Sequence, residues 1–76
     1  MEKLLEILRD VRPDVDFTAE DNLIEGGILD SMDIVNLITG ISEEFDVVIT
    51  ARDILPENFN SAAKMFELIK RLREED

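Results

Sequence analysis

The sequence predicts an all-α fold, a four-helix bundle of three long helices and one short helix with a long loop after the first. Three observations carry the prediction. Apolar residues recur at helical spacing in three separate segments. Pro13 and Pro56 punctuate those segments, and the residue before a proline is pushed out of the helical region. The one β-rich stretch, Val47-Val48-Ile49, has no evident partner strand, so an extended link packed on the core is expected there. A hydrophobic content of 45% argues against disorder.

The first helix is expected over 2–11. Leu4, Leu5, Leu8 and Val11 share one face, while Glu2, Lys3, Glu6 and Arg9 take the other. Pro13 stops it. Residues 13–30 then form a connection long enough to be functional or pinned to the core. It holds a turn or single helical turn at Thr18–Asp21 and the pair Gly26-Gly27, and its expected pins are Phe17, Leu23, Ile24, Ile28 and Leu29. The second helix is expected over 31–45, with cap chemistry from Asp30-Ser31 and negative charge from Asp33 in its first turn. Thr50 and Asp53 form a capping-box pattern with Asp in place of Glu, which predicts a short helix over 51–55 ended by Pro56. The last helix, over 61–73, should bury Ala62, Met65, Phe66, Ile69 and Leu72. No repeat or linker divides the chain, so residues 1–76 read as a single domain.

The second helix has two apolar faces. With Ile34 at zero and about 100° per residue, Leu37, Ile38, Ile41 and Phe45 fall within about 60° of it. Met32, Val35 and Thr39 lie between about 100° and 160°, with Glu43 and Asp46 on that same flank. A small bundle buries one stripe per helix. The second group therefore reads either as scattered surface residues or as a docking face with apolar anchors and a carboxylate rim.

Composition narrows the function classes. A domain of 76 residues has a modest core and little room for an enclosed active site. There is no cysteine, hence no disulfide, thiolate metal site or protein thiol nucleophile, and no histidine for proton transfer near neutral pH. A self-sufficient enzyme fits poorly. The net charge of −11 repels nucleic acid and anionic membranes and favours partners with basic patches. The first ten residues have no apolar signal core and no run approaches a membrane span, so a cytoplasmic protein is expected. Asp14, Asp16, Glu20 and Asp21 are acidic but do not have the spacing of a calcium loop.

Ser31 opens the second helix. One reading is a plain helix cap. The other is a serine whose hydroxyl carries a phosphodiester, since free N–H groups and the positive helix end favour an anion there. Serine-based hydrolysis fits badly, because there is no histidine and no Gly-x-Ser-x-Gly elbow.

The segment Gly27-Ile28-Leu29-Asp30-Ser31-Met32 resembles the G-x-x-D-S-L/M segment of acyl carrier and peptidyl carrier proteins. Ser42-Glu43-Glu44-Phe45 is similar to the end of that family's second helix, and Phe59-Asn60-Ser61 to the start of its last. The resemblance runs in order along nearly the whole chain. It implies a bundle of acyl-carrier type and a 4'-phosphopantetheine arm, taken from coenzyme A and attached covalently to Ser31 by a phosphopantetheinyl transferase. Asp30, the motif's acid, would help orient that complex. The chain would then be a non-catalytic carrier, its cargo held as a thioester on the arm's thiol. Met32, Asp33, Val35, Thr39, Glu43 and Asp46 would form the recognition face for loading ligases, synthases and transferases. The carrier is expected to be a monomer.

Met32 stands where leucine is commoner, a change shared with D-alanyl carriers, and Asn36 and Thr39 replace residues of many fatty-acid carriers. Gly40 lies inside a predicted helix, at a cost of up to about 1 kcal/mol against alanine unless close packing requires it. These departures favour a specialised pathway (polyketide, peptide or D-alanyl) over housekeeping fatty-acid synthesis. An unmodified acidic interaction module with the same fold is the alternative, and an acidic mimic of nucleic acid is a third reading that leaves the Asp-Ser motif unexplained.

Overall fold

The computed structural model describes residues 1–74, and its regular structure is entirely helical. The elements are α1 (Glu2–Val11), α2 (Ser31–Phe45), a 3-10 turn (Ala51–Asp53), α3 (Pro56–Phe59) and α4 (Ala62–Glu74). α1 packs on α2 and α4, and α3 packs on α4. The core is one cluster to which every helix and the long connection contribute: Leu4 and Leu8, Phe17, Leu23 and Leu29, Leu37 and Ile41, Phe59, then Ala62, Met65, Leu68 and Ile69.

The predicted faces point to the core, although Phe66 and Leu72 on α4 are only partly buried, and there are two additions. Leu68 on α4 is buried as well, and Ile7 on α1 packs against the cluster from its edge. Ile7 explains Gly40. A Cβ on Gly40 would stand 2.9 Å from Ile7 Cγ2, closer than carbon atoms tolerate, so the bare backbone lets the two helices approach.

The connection from 12 to 30 is irregular but well fastened. Asp16 accepts bonds from the Thr18 N–H and hydroxyl, and Glu20 N–H reaches Asp16 O at 3.1 Å, so a single turn closes over Asp16–Glu20, starting two residues before the expected Thr18–Asp21. All five expected pins reach the core, with Phe17, Leu23 and Leu29 buried and Ile24 and Ile28 at its margin. Asn60, between α3 and α4, holds the middle of the connection. Its Oδ1 accepts the N–H groups of Ile24 and Glu25 at 3.1 Å each, its Nδ2 donates to Glu25, and its carbonyl accepts the Leu23 N–H at 2.9 Å. Gly27, at φ 73°, supplies the left-handed turn that sends the chain toward α2.

The expected short helix over 51–55 differs from the structure. Only a 3-10 turn forms at Ala51–Asp53, with the Asp53 carboxylate reaching back to the Thr50 N–H at 3.2 Å. Pro56 does not end a helix but begins one, occupying the first position of α3, where its missing N–H costs nothing and its fixed φ suits the helix. Val47–Ile49 is the expected extended link, with Val47 buried and Val48 open to solvent.

Candidate functional site

The site is assembled at the start of α2. Asp30 is the cap residue: its Oδ1 accepts the Asp33 N–H at 2.9 Å, and Asp33 Oδ2 accepts the Asp30 N–H at 3.2 Å. This reciprocal pair satisfies two of the helix's orphan donors. It also relieves Ser31 of the capping role. Ser31 is the first helical residue, it is exposed, and its hydroxyl makes no hydrogen bond among the described residues. The first-turn N–H groups of Ser31 and Met32 have no intrahelical acceptor by helix geometry, and the positive end of a 15-residue helix points the same way.

Around this turn the sequence-predicted residues divide. Met32 and Val35 are 65% and 55% exposed, so the second apolar stripe of α2 is left uncovered by the fold. Thr39 continues it, its hydroxyl donating to Val35 O at 3.0 Å, and Glu43 and Asp46 are exposed farther along. Asp46 ends α2 in the left-handed conformation at φ 54°, which an Asp side chain tolerates better than most. Asp33 departs from the pattern. Its side chain is only 13% exposed, and its carboxylate is shared between the Asp30 N–H and the Arg12 guanidinium.

Arg12 was not among the sequence candidates. Its Nη1 donates to Ile28 O at 2.8 Å and to Asp33 Oδ2 at 2.9 Å, while Nε and Nη2 each reach the Asp14 carboxylate at 3.0 Å. The Asp14 bond and then the Asp33 bond push the guanidinium still further from deprotonation. In return, the Arg12 hydrogen bond holds the Asp14 carboxyl below its ordinary range. Ile54 and Leu55 were also missed as surface features. Both are exposed, and with Ile24, Ile34, Pro56 and Phe59 they line an apolar recess of about 250 Å³ that reaches the first turn of α2 through Ile34.

A family model described as "Phosphopantetheine attachment site" matches residues 2–69, nearly the whole chain. The chain belongs to this phosphopantetheine attachment family. Carrier proteins of the family bear a covalent 4'-phosphopantetheine, and this chain's residues fit that group: a free, exposed hydroxyl at a helix N-terminus is suited to a phosphodiester. Similar proteins include aminoacyl carrier protein 1 of Bradyrhizobium diazoefficiens, 41% identical over 54 residues, which are 71% of this chain and 59% of that protein. The chain thus spans under two thirds of that relative's length. The D-alanyl carrier protein of Streptococcus mutans is 33% identical over 60 residues, covering 79% of this chain and 76% of that protein. That of Streptococcus sanguinis is 29% identical over 72 residues, covering 93% and 91%. No solved structure matches. The family is one of carriers, and among the described residues no helix is long and apolar enough to cross a membrane.

Proposed function

We propose that the chain is a single-domain carrier whose Ser31 accepts the phosphopantetheine arm and whose cargo is an aminoacyl or short acyl group. One observation carries the reading: Asp30 caps α2, so the Ser31 hydroxyl is exposed and unengaged at the helix end best suited to a phosphodiester. In the transfer, Ser31 Oγ forms a bond to the phosphorus that bears the pantetheine half of coenzyme A. The pyrophosphate linkage breaks, the nucleotide half leaves, and the hydroxyl proton passes to a base of the transferase. The arm supplies a terminal thiol, which fits a chain that has no cysteine of its own. The names of the similar carriers favour an amino acid over a fatty acid as cargo.

Partners, a phosphopantetheinyl transferase and then a loading ligase and acceptor enzymes, would dock on Met32, Val35, Thr39, Glu43 and Asp46. With a charge of −11 behind that face, encounters with basic patches should be fast, weak and salt-sensitive. Asp30 acts through the cap, and Asp33 is assigned to positioning rather than to partner contact. The cytoplasm, where coenzyme A and such enzymes are at hand, is the compartment this reading implies, and the protein would act as a monomer. The test is intact-mass spectrometry after incubation with coenzyme A and a broad-specificity transferase. One added phosphopantetheine, lost in Ser31→Ala, is the expected result. No mass gain with any transferase, together with partner binding indifferent to Ser31→Ala, would mark an unmodified interaction module instead.

A further inference from the structure

The guanidinium of Arg12 joins three parts of the chain that are far apart in sequence. It leaves the end of α1 and grips Asp14 in the turn that follows. It then takes the Ile28 carbonyl 16 residues on and the Asp33 carboxylate 21 residues on. Ile28 and Asp33 bracket Ser31. Asp33 Oδ2 also accepts the Asp30 N–H, so the contact passes to the residue beside the serine. The Arg12 side chain is 31% exposed and that of Asp33 13%, so this pair is screened less than a surface ion pair. Five donors in a rigid planar fork suit three acceptors in three directions, which an ammonium group does not.

We propose that Arg12 is a positioning residue for the attachment reaction: its fork fastens the Ile28–Asp33 segment in the conformation that presents the Ser31 hydroxyl. The inference rests on the reading of Ser31 as acceptor. The segment needs such a fastening. It follows Gly26-Gly27, with Gly27 in the left-handed region, and it holds one buried side chain, Leu29. Its other ties include the reciprocal Asp30–Asp33 bonds, the Ile34 N–H bond to Asp30 O at 3.1 Å, and the Ile28 and Leu29 N–H bonds to Leu23 O at 3.0 and 2.9 Å. Without Arg12, Asp33 keeps its role at the cap but loses its anchor to α1. The first turn of α2 then opens more often, and only the closed fraction is competent to enter the transferase. The apparent affinity of the carrier falls by that fraction, while the chemistry of the molecules that do bind is unchanged.

The experiment compares wild type, Arg12→Ala, Arg12→Lys and Asp33→Asn in steady-state phosphopantetheine transfer from coenzyme A, alongside amide hydrogen exchange. Arg12→Ala is expected to raise the KM for the carrier about five- to tenfold with kcat unchanged, the signature of a smaller competent fraction. Exchange should speed up at Leu29–Ile34 while the amides of α4 keep their protection. Arg12→Lys should recover only part of the KM, and Asp33→Asn should shift KM in the same direction as Arg12→Ala. A KM within about twofold of wild type overturns the proposal, since the population argument then has nothing to explain. Full rescue by lysine also overturns it, because charge alone would suffice. So does a loss of protection spread evenly over α4. If the wild-type chain accepts no arm, the reading of Ser31 fails, and the exchange comparison still decides whether Arg12 holds this segment.

Discussion

Asp30 and Asp33 hold each other's backbone: Asp30 Oδ1 takes the Asp33 N–H at 2.9 Å, and Asp33 Oδ2 takes the Asp30 N–H at 3.2 Å. Capping thereby falls to Asp30 and leaves the neighbouring Ser31 free for the proposed attachment. Ser31→Ala should abolish the arm yet leave thermal stability within about 0.5 kcal/mol of wild type, as for exposed sites without special contacts. Asp30→Ala should cost about 1 kcal/mol through loss of the cap. Asp30→Asn, which still offers a side-chain oxygen, should cost less. Chemical denaturation of the three variants beside wild type checks this. Equal destabilisation by Ser31→Ala and Asp30→Ala would show that the serine caps after all.

Asn60 replaces three missing backbone partners of the long connection with one side chain and one carbonyl. Asn60→Ala strips the acceptor from the Ile24 and Glu25 N–H groups, and the Ile24 group is partly buried. An expected cost of about 1–3 kcal/mol follows from leaving such a donor unpaired. Asn60→Asp keeps the acceptor but puts a carboxylate beside Glu25, so it should fall between wild type and alanine. Amide exchange at Ile24 and Glu25 is the direct readout, and unchanged rates in Asn60→Ala would refute the clamp.

What was legible in the sequence was what is local. The stripes on α1, α2 and α4 and the uncovered Met32–Val35 flank follow from spacing within one segment, whereas spacing marks Ser31 only as a helix cap and the family resemblance singles it out. Two of the partners of Arg12, Ile28 and Asp33, lie 16 and 21 residues away, and the N–H groups that bond the Asn60 side chain lie 35 and 36 away, so no periodicity announces them. Asp33 carried two compatible readings, a first-turn charge that attracts partners and a first-turn charge that serves the fold, and its bond to Arg12 is the observation that favours the second. Pro56 was ambiguous for a different reason, since proline both ends helices and opens them.

Gly40 gives a substitution whose sign depends on its neighbour. In an exposed helix interior, Gly→Ala gains up to about 1 kcal/mol. Here the new methyl would stand 2.9 Å from Cγ2 of Ile7, a branched side chain with little freedom to yield. Overpacking of this kind costs about 1–3 kcal/mol, so Gly40→Ala should be net destabilising by up to about 2 kcal/mol. In an Ile7→Ala background the obstacle is gone and the same change should become neutral or stabilising. A double-mutant cycle by urea unfolding measures the coupling. Additive effects would mean that α1 and α2 shift apart without cost.

The Arg12–Asp14 bond makes a prediction about pH. The bond lowers the Asp14 carboxyl below its unfolded value. Between the folded and unfolded values the unfolded chain binds more protons, so stability rises with pH across that window. The contribution is therefore complete above the ordinary Asp value of about 3.9 and is lost as pH falls through the lower folded value. Asp16 has the same sign, from the Thr18 hydrogen bonds. Asp14→Asn removes the titration at one of these sites, so its thermal midpoint should fall less steeply than that of wild type as pH drops below about 4. At neutral pH the exposed Arg12–Asp14 pair is screened, and the variant should lose little there. Parallel melting curves for the two proteins down to acid pH would show that Asp14 keeps its ordinary affinity for protons, and that Arg12 spends its charge on Asp33 alone.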